Sequence, residues 1–167
     1  MQPTSAVECE ENRVEKLEHN KRERIKLFGV RVLMSNPIPA CEKIDQIFGS
    51  GGEAIVHYMW FEQGKNLFEQ MLKNVPEKTK QELLKQLIDD RPQSGWGITE
   101  TRIISNDLPA VEIIVKNPPV KTIKGSQKHL IGSFWAGVLS EYFERRLMPK
   151  NFNYNSEKDE FSCLITI

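Results

Sequence analysis

Residues 125–147 read GSQKHLIGSFWAGVLSEYFERRL and form the most informative segment of the chain. It predicts a helix that large apolar residues nearly encircle, interrupted mainly by Ser133, Ser140 and Glu141. A helix that is apolar on almost every side has to be covered on more than one of them. The chain's own sheet is one cover, and either a bound apolar molecule or a second subunit is the other.

Three helices are predicted before this one. Apolar residues recur at intervals of three and four across residues 53–75, which predicts a long helix with one core-facing stripe. Pro76 ends that helix, and residues 77–90 form the next. A short helix from Pro39 to Phe48 comes first. The stripe of the long helix consists of Ala54, Tyr58, Phe61, Gly64, Phe68, Met71, Leu72 and Val75. Gly64 within it indicates close approach by another element or a ligand.

The strands follow a different periodicity. Residues 96–104 and 110–116 are rich in Ile, Val and Thr and predict an antiparallel pair. Residues 152–155 and 161–167 predict a terminal hairpin, and residues 27–34 predict a further strand. The fold class is therefore α+β, with an antiparallel sheet of four to five strands packed against helices.

Charge and length limit the function. Residues 1–26 are a charged N-terminal segment or helix, and residues 27–167 are a single domain. The chain has 23 basic and 23 acidic residues, so bulk charge disfavours nucleic-acid binding. The uncharged run Leu130–Ser140 is too short for a membrane span. With no signal-peptide pattern, we expect a cytoplasmic protein.

Chemistry-bearing residues are few. Cys9, Cys41 and Cys163 are far apart and odd in number, which favours free, mostly buried thiols. No motif typical of hydrolases, zinc proteases or dinucleotide binding is present, so we expect no catalytic residues and no cofactor, and favour a non-enzymatic protein. Of the three histidines, His57 and His129 are expected to be partly buried and hydrogen-bonded.

Five segments resemble the 4-vinyl reductase domain family of predicted hydrocarbon-binding proteins, which is related to small subunits of the TRAPP vesicle-tethering complex. They carry the resemblance over about two-thirds of the chain. They are EAIVHYMWFEQGKNLF (53–68), SGWGITETRII (94–104), VEIIVKNPPV (111–120), IGSFWAGVLSEYF (131–143) and EFSCLITI (160–167).

This resemblance implies a homodimer with helices on one side of an antiparallel sheet and a small apolar or aromatic ligand between them. Many family members also bind zinc near the last hairpin. Here Cys163 matches the final cysteine, but residues 151–155 contain neither thiol nor carboxylate. One thiolate cannot hold a four-coordinate zinc, so we predict no metal. Packing of Phe152, Tyr154 and Phe161 is expected to secure the hairpin instead.

The leading hypothesis is a dimeric sensory or regulatory domain that binds a small hydrophobic ligand between its two aromatic helices and the sheet, where Gly64, Gly132 and Gly137 leave room between the helices. Trp60 and Trp135 lie off the main stripes and are candidates for contacts with the partner subunit. His129 matches a position at which phenol-sensing relatives place a ligand-contacting residue. The expected ligand-binding residues are Tyr58, Phe61, Phe68, Trp96, His129, Leu130, Phe134, Trp135 and Val138.

Two alternatives stay open. One is a TRAPP-like structural or tethering subunit whose interior is filled by its own side chains. The other is a tetrapyrrole vinyl reductase or an accessory protein of that reaction.

Overall fold

The computed structural model describes residues 26–27, 30–31, 36–92, 95–105 and 108–167. The chain divides into two compact units, Met1–Leu33 and Met34–Ile167. In the first unit, β1 (Lys26–Leu27) pairs antiparallel with β2 (Val30–Arg31). Two short paired strands thus replace the start of the single strand predicted over residues 27–34, because pairing satisfies backbone groups that a lone strand would not. The rest of that strand and the charged segment up to residue 25 lie outside the described residues.

The helices of the second unit follow the predicted order. Two of them begin at recognisable signals: α1 has prolines around its start, and α3 begins at a capping box in which Thr79 and Glu82 bond reciprocally. A short 3₁₀ turn over Gly125–Lys128 leads into the last helix. The bounds are α1 (Ile38–Phe48), α2 (Gly51–Asn74), α3 (Lys80–Asp90) and α4 (His129–Phe143).

Four antiparallel strands form the sheet in the order β3-β4-β6-β5. They are β3 (Ile98–Ser105), β4 (Ala110–Lys116), β5 (Met148–Asn155) and β6 (Glu160–Thr166). β5 starts four residues before the predicted Phe152. Its register shifts between Lys150 and Asn153, and Asn151 has a positive φ of 53°. This irregularity breaks the alternation by which a strand is recognised.

Helix α4 is the centre of the core, with every residue from Leu130 to Ser140 buried. Gly132 faces β5 and β6, whereas Gly137 faces α2. The second cover that the sequence requires is therefore α2 of the same chain, and neither a ligand nor a partner is needed to bury α4. Within the described residues, no helix is long and apolar enough to span a membrane.

The predicted stripe of α2 is correct in its second half only. Phe61, Gly64, Phe68 and Met71 are buried, but the first half turns Gly52 and Val56 inward instead of Ala54 and Tyr58. The cause is the packing of Gly52 against α1, where an added Cβ would lie 2.8 Å from Asp45 Oδ1.

Candidate functional site

Helices α2 and α4 touch backbone to backbone. A Cβ added at Gly64 would overlap the Phe134 carbonyl oxygen, and one added at Gly137 would overlap the Phe61 carbonyl oxygen. The Gly137 position also lies 2.8 Å from the Lys65 amide nitrogen. The expectation that these glycines leave room for a guest is therefore wrong, because the opposite helix backbone takes that room.

An aromatic cluster lies beside this contact, defined by Trp60, Trp96, Phe134 and Trp135 around Arg91. Trp60 meets Trp96 edge to face, with ring centroids 5.1 Å apart, and Trp96 stacks on Phe134 at 6.5 Å. Phe134 in turn meets Trp135 at 5.7 Å. Elements α2, α4 and the loop before β3 thus each contribute rings. Because Trp60 and Trp96 are only half-buried, the cluster has an edge at the protein surface.

Arg91, the residue that ends α3, lies among these rings. Its guanidinium carbon is 3.9 Å from the Phe134 ring centroid and 5.4 Å from those of Trp96 and Trp135. Burial lowers the pKa of Arg91 from 12.5 to about 9, so the side chain still carries its charge at neutral pH. A cation against aromatic faces is a stabilising arrangement.

A second polar group, the histidine relay, is formed by Glu53, His57, His129 and Ser133. His57 Nδ1 lies 2.7 Å and His129 Nδ1 lies 3.1 Å from the same Ser133 Oγ. On its other side, His129 Nε2 faces Glu53 Oε2 at 3.6 Å, and Lys128 Nζ pairs with that oxygen at 2.7 Å. The relay joins α2 to α4 near the first turns of both helices. Phe68 and Tyr142, whose ring centroids are 6.3 Å apart, join them at the other end.

The single hydrogen of the Ser133 hydroxyl limits which atoms donate and which accept in the hydrogen bonds of the relay. Ser133 has one hydrogen to donate, so only one of the two Nδ1 atoms accepts it. Glu53 favours a proton on Nε2 of His129, which leaves His129 Nδ1 as the acceptor. Ser133 then donates to His129, and His57 donates its Nδ1 proton to Ser133. His57 Nε2 is consequently left with a lone pair.

Protonation of this relay is disfavoured. Burial, together with the neighbouring His57 and Lys128, lowers the pKa of His129 from 6.5 to about 4, against the opposing effect of Glu53. Burial and Arg146 also lower the pKa of His57. Both imidazoles are therefore neutral at physiological pH.

The nine predicted ligand residues do not form one group. Trp96, Phe134 and Trp135 meet in the aromatic cluster, His129 belongs to the relay, and Phe61 packs near His57 with ring centroids 5.9 Å apart. Phe68 contacts Tyr142, and Leu130 and Val138 are completely buried core residues. Tyr58 is 62% exposed, so its placement in an interior site is wrong.

Sequence reasoning missed several members of these groups. Trp135, a candidate for contact with a partner subunit, packs within the chain and is 2% exposed. Trp60 lies on Trp96 but is only half-buried, so its contact with a partner stays a prediction. The sequence around Arg91 is that of an ordinary loop cation. Its contact with Phe134 arises only when the fold brings α3 against α4. The prediction that His57 and His129 are partly buried and hydrogen-bonded is confirmed, and the partner that both share is Ser133, a polar residue inside an apolar helix four residues after His129.

The hairpin near Cys163 is secured by packing. Phe152 and Phe161 have ring centroids 6.2 Å apart, and the Tyr154 hydroxyl donates to Asp159 Oδ1 at 2.7 Å, which agrees with the predicted role of these rings. Cys41 and Cys163 are buried thiols, and burial raises the pKa of Cys163 to about 12. Among the described residues, no group of three or more His, Cys, Asp or Glu side chains is placed to hold a metal ion.

Solved structures share the fold of this chain, although no family model and no curated protein sequence matches it. The phenol-responsive sensory domain of the transcription activator PoxR, solved with phenol, superposes with a TM-score of 0.63 at 12% identity, over 98% of this chain and 91% of that one. This chain has the fold of that sensory domain.

Two further structures share the fold. A trafficking protein particle complex subunit 3 from Naegleria fowleri, covalently bound to palmitic acid, has a TM-score of 0.52 at 10% identity, over 80% of this chain and 90% of that one. A vinyl-4-reductase family protein from Methanocaldococcus jannaschii has a TM-score of 0.51 at 18% identity, over 99% and 96%. The predicted resemblance to the 4-vinyl reductase and TRAPP proteins is thereby confirmed at the level of the fold.

Proposed function

We propose that this chain is a non-enzymatic, homodimeric sensory or regulatory module that binds a small aromatic or apolar ligand at the aromatic cluster. The observation that carries the proposal is the convergence of all three tryptophans of the chain with Phe134 in one cluster. Aromatic rings favour stacked and edge-to-face partners, which suits a small planar guest. The half-buried Trp60 and Trp96 give that guest access from solvent.

The proposed ligand position differs from the one that the sequence indicates. Backbone contact at Gly64 and Gly137 closes the space between α2 and α4, whereas the cluster beside it is formed by side chains, of which Trp60 and Trp96 are only half-buried. The fold shared with a phenol-responsive sensory domain supports the same class of ligand.

Signalling follows from which elements the cluster joins. Arg91 ends α3, Trp96 precedes β3, and Phe134 belongs to α4, so a guest among these rings changes how three elements pack. A ligand shifts the balance between two packings only if it binds one of them more tightly. The proposed signal is therefore a change in the position of the α3–β3 loop relative to α4.

Ligand binding is tested by native mass spectrometry and thermal shift with phenol, toluene and palmitate. We expect saturable binding of one or more of these compounds, lost in Trp96→Leu and kept in the exposed control Lys158→Glu. Phe134→Asp is unsuitable because Phe134 is 4% exposed, and an ion there unfolds the core. Failure of all three compounds to bind folded protein would contradict the proposal.

A structural or tethering subunit is the second candidate. It is favoured by the closed α2–α4 contact and by an exposed apolar stripe on α2, formed by Ile55, Tyr58 and Met59 at 38%, 62% and 55% exposure. Such a protein would bind neither phenol nor toluene at the aromatic cluster and would assemble through that stripe. Met59→Glu would then abolish assembly without affecting Trp fluorescence.

The vinyl reductase alternative stays a prediction. It is tested by incubating the protein with a vinyl tetrapyrrole, with and without a reduced nicotinamide. Turnover above that of heat-inactivated protein would favour it over both binding roles.

A further inference from the structure

Strand β3 lies at one edge of the sheet and carries an unusual number of exposed apolar side chains. Ile98, Ile103 and Ile104 are 48%, 56% and 63% exposed. Among the described residues, β4 is the only strand that pairs with β3. An edge strand presents a row of backbone donors and acceptors that another strand can pair with.

The sequence of β3, ITETRIIS, is complementary to itself when reversed about Thr101. With a twofold axis through Thr101, Glu100 lies opposite Arg102 of a second copy, and Arg102 lies opposite Glu100. One residue further from the axis, Thr99 lies opposite Ile103 of the second copy. At the ends of the paired segment, Ile98 lies opposite Ile104 of the second copy. Opposite charges and apolar residues directly across two antiparallel strands stabilise their pairing.

We propose that a second copy of this chain docks on β3 by antiparallel edge pairing centred on Thr101, which joins two four-stranded sheets into one of eight strands. The inference deepens the proposed function, since it rests on the homodimer proposed there and names its interface. A contact of this kind is isologous, because each subunit presents the same surface.

Charges on the adjacent strand extend this complementarity. Within one chain Glu100 pairs with Lys116, and Arg102 lies 3.5 Å from Glu112, both pairs on the face away from α4. In the dimer, four charged side chains would follow one another across the paired edges: Lys116 and Glu100 of one chain, then Arg102 and Glu112 of the second copy. Positive and negative charges therefore alternate from one chain to the other. Edge charges often prevent pairing, but here the reversed order places each charge opposite an opposite one.

The β-bulge between Ile103 and Ser105 sets the length of the pairing. A bulge increases the local twist and ends regular pairing. The regular part therefore spans Thr99–Ile103, and Ile104 contributes apolar contact beyond it.

The test uses charge reversal and sedimentation equilibrium of the full chain. Wild-type protein is expected to approach twice 19.3 kDa with rising concentration. In a dimer of Glu100→Arg, each Arg102 faces an arginine of the other chain, and in a dimer of Arg102→Glu, each Glu100 faces a glutamate. Each variant alone should therefore raise the dimer dissociation constant about tenfold or more.

Mixing the two single variants is the decisive step. The Glu100→Arg chain then carries arginine at both positions and the Arg102→Glu chain carries glutamate at both, so every facing pair of their heterodimer joins opposite charges. A heterodimer of near wild-type affinity is expected. Contacts within each chain are the same as in the separate variants, so recovery reports the interface alone. Lys158→Glu serves as the unaffected control, and circular dichroism checks that each variant is folded.

Two results would overturn the edge pairing: a monomeric wild-type chain, or dimers that survive both single reversals. The second result would leave the homodimer of the proposed function intact on another face. Ligand binding is measured separately by Trp fluorescence, so its failure is distinguishable from failure of the interface.

Discussion

The same pair of helices, α2 and α4, is packed in two different ways. At Gly64 and Gly137 the two backbones touch and no side chain lies between them. To one side of this contact, Trp60 packs on Trp96 and Phe134 packs on Arg91. Towards the first turns of the two helices, His57 and His129 both contact the hydroxyl of Ser133. The glycine contact fixes the distance between the helices, whereas the flanking regions are filled by side chains, among them the half-buried Trp60 and Trp96. The flanks are therefore where the proposed ligand is placed.

The largest effect is expected at the glycine contact. Gly137→Ala places a methyl group on the Phe61 carbonyl and 2.8 Å from the Lys65 nitrogen, and neither backbone group can rotate away. We expect a loss of about 3 kcal/mol in the free energy of unfolding, measured by urea denaturation. Gly51→Ala in α2 is the matched control, since its nearest neighbour is 4.0 Å away, and its stability should be unchanged or slightly raised. Equal stability of the two variants would contradict a closed contact.

Removing the shared hydroxyl has a smaller effect. Ser133→Ala leaves two partly buried imidazole nitrogens without the partner that both contact, at a cost of about 1–3 kcal/mol. Urea denaturation measures this loss, and the nitrogen shifts of His57 and His129 report the changed tautomers. Unchanged shifts at both histidines would show that the relay does not exist in solution.

On the sheet side of α4, glycine is replaceable at lower cost. A Cβ at Gly132 would lie 2.5 Å from Phe152 Cε1, which belongs to a half-buried ring that can move. Gly132→Ala should therefore lose only about 1 kcal/mol, well below Gly137→Ala. A loss as large as that of Gly137→Ala would mean that the sheet side is as rigid as the helix contact.

Acidification is expected to weaken the relay without any substitution. The pKa of His129 is about 4 in the folded chain against 6.5 in the unfolded one. Between these values the unfolded state binds a proton that the folded state does not, so stability falls as the pH drops from 6.5 towards 4. His129→Gln should flatten this fall, so the difference between its melting temperatures at about pH 7 and about pH 5 should be smaller than that of the wild-type chain. Parallel slopes in the two proteins would contradict the lowered pKa.

Most of the fold could be predicted because its signals are local. β4 begins and ends where the pattern of Val111, Ile113 and Val115 indicates, and α4 is as buried as its composition requires. The predicted β5 is too short because the positive φ of Asn151 interrupts its alternation.

The site was harder to predict because it depends on which elements meet. Glycines in two helices fit both a cavity and a close contact, and periodicity cannot distinguish these. Arg91 reaches Phe134 only after α3 and α4 have packed, and Tyr58 lies outside its predicted interior position because Gly52 sets the rotation of α2. The aromatic residue types led to the prediction of an aromatic or apolar ligand, but they did not indicate which of the rings form a cluster.

The most direct test of the central claim uses the three tryptophans as reporters, since all of them belong to the aromatic cluster. Titration of ¹⁵N-labelled protein with phenol is followed at the indole N–H resonances of Trp60, Trp96 and Trp135 and at the backbone amides of Gly64 and Gly137. We predict saturable shifts of the indole resonances with little change at the two glycines. Saturable shifts at the glycines with unmoved indoles would place the ligand between the two helix backbones and would contradict binding at the aromatic cluster.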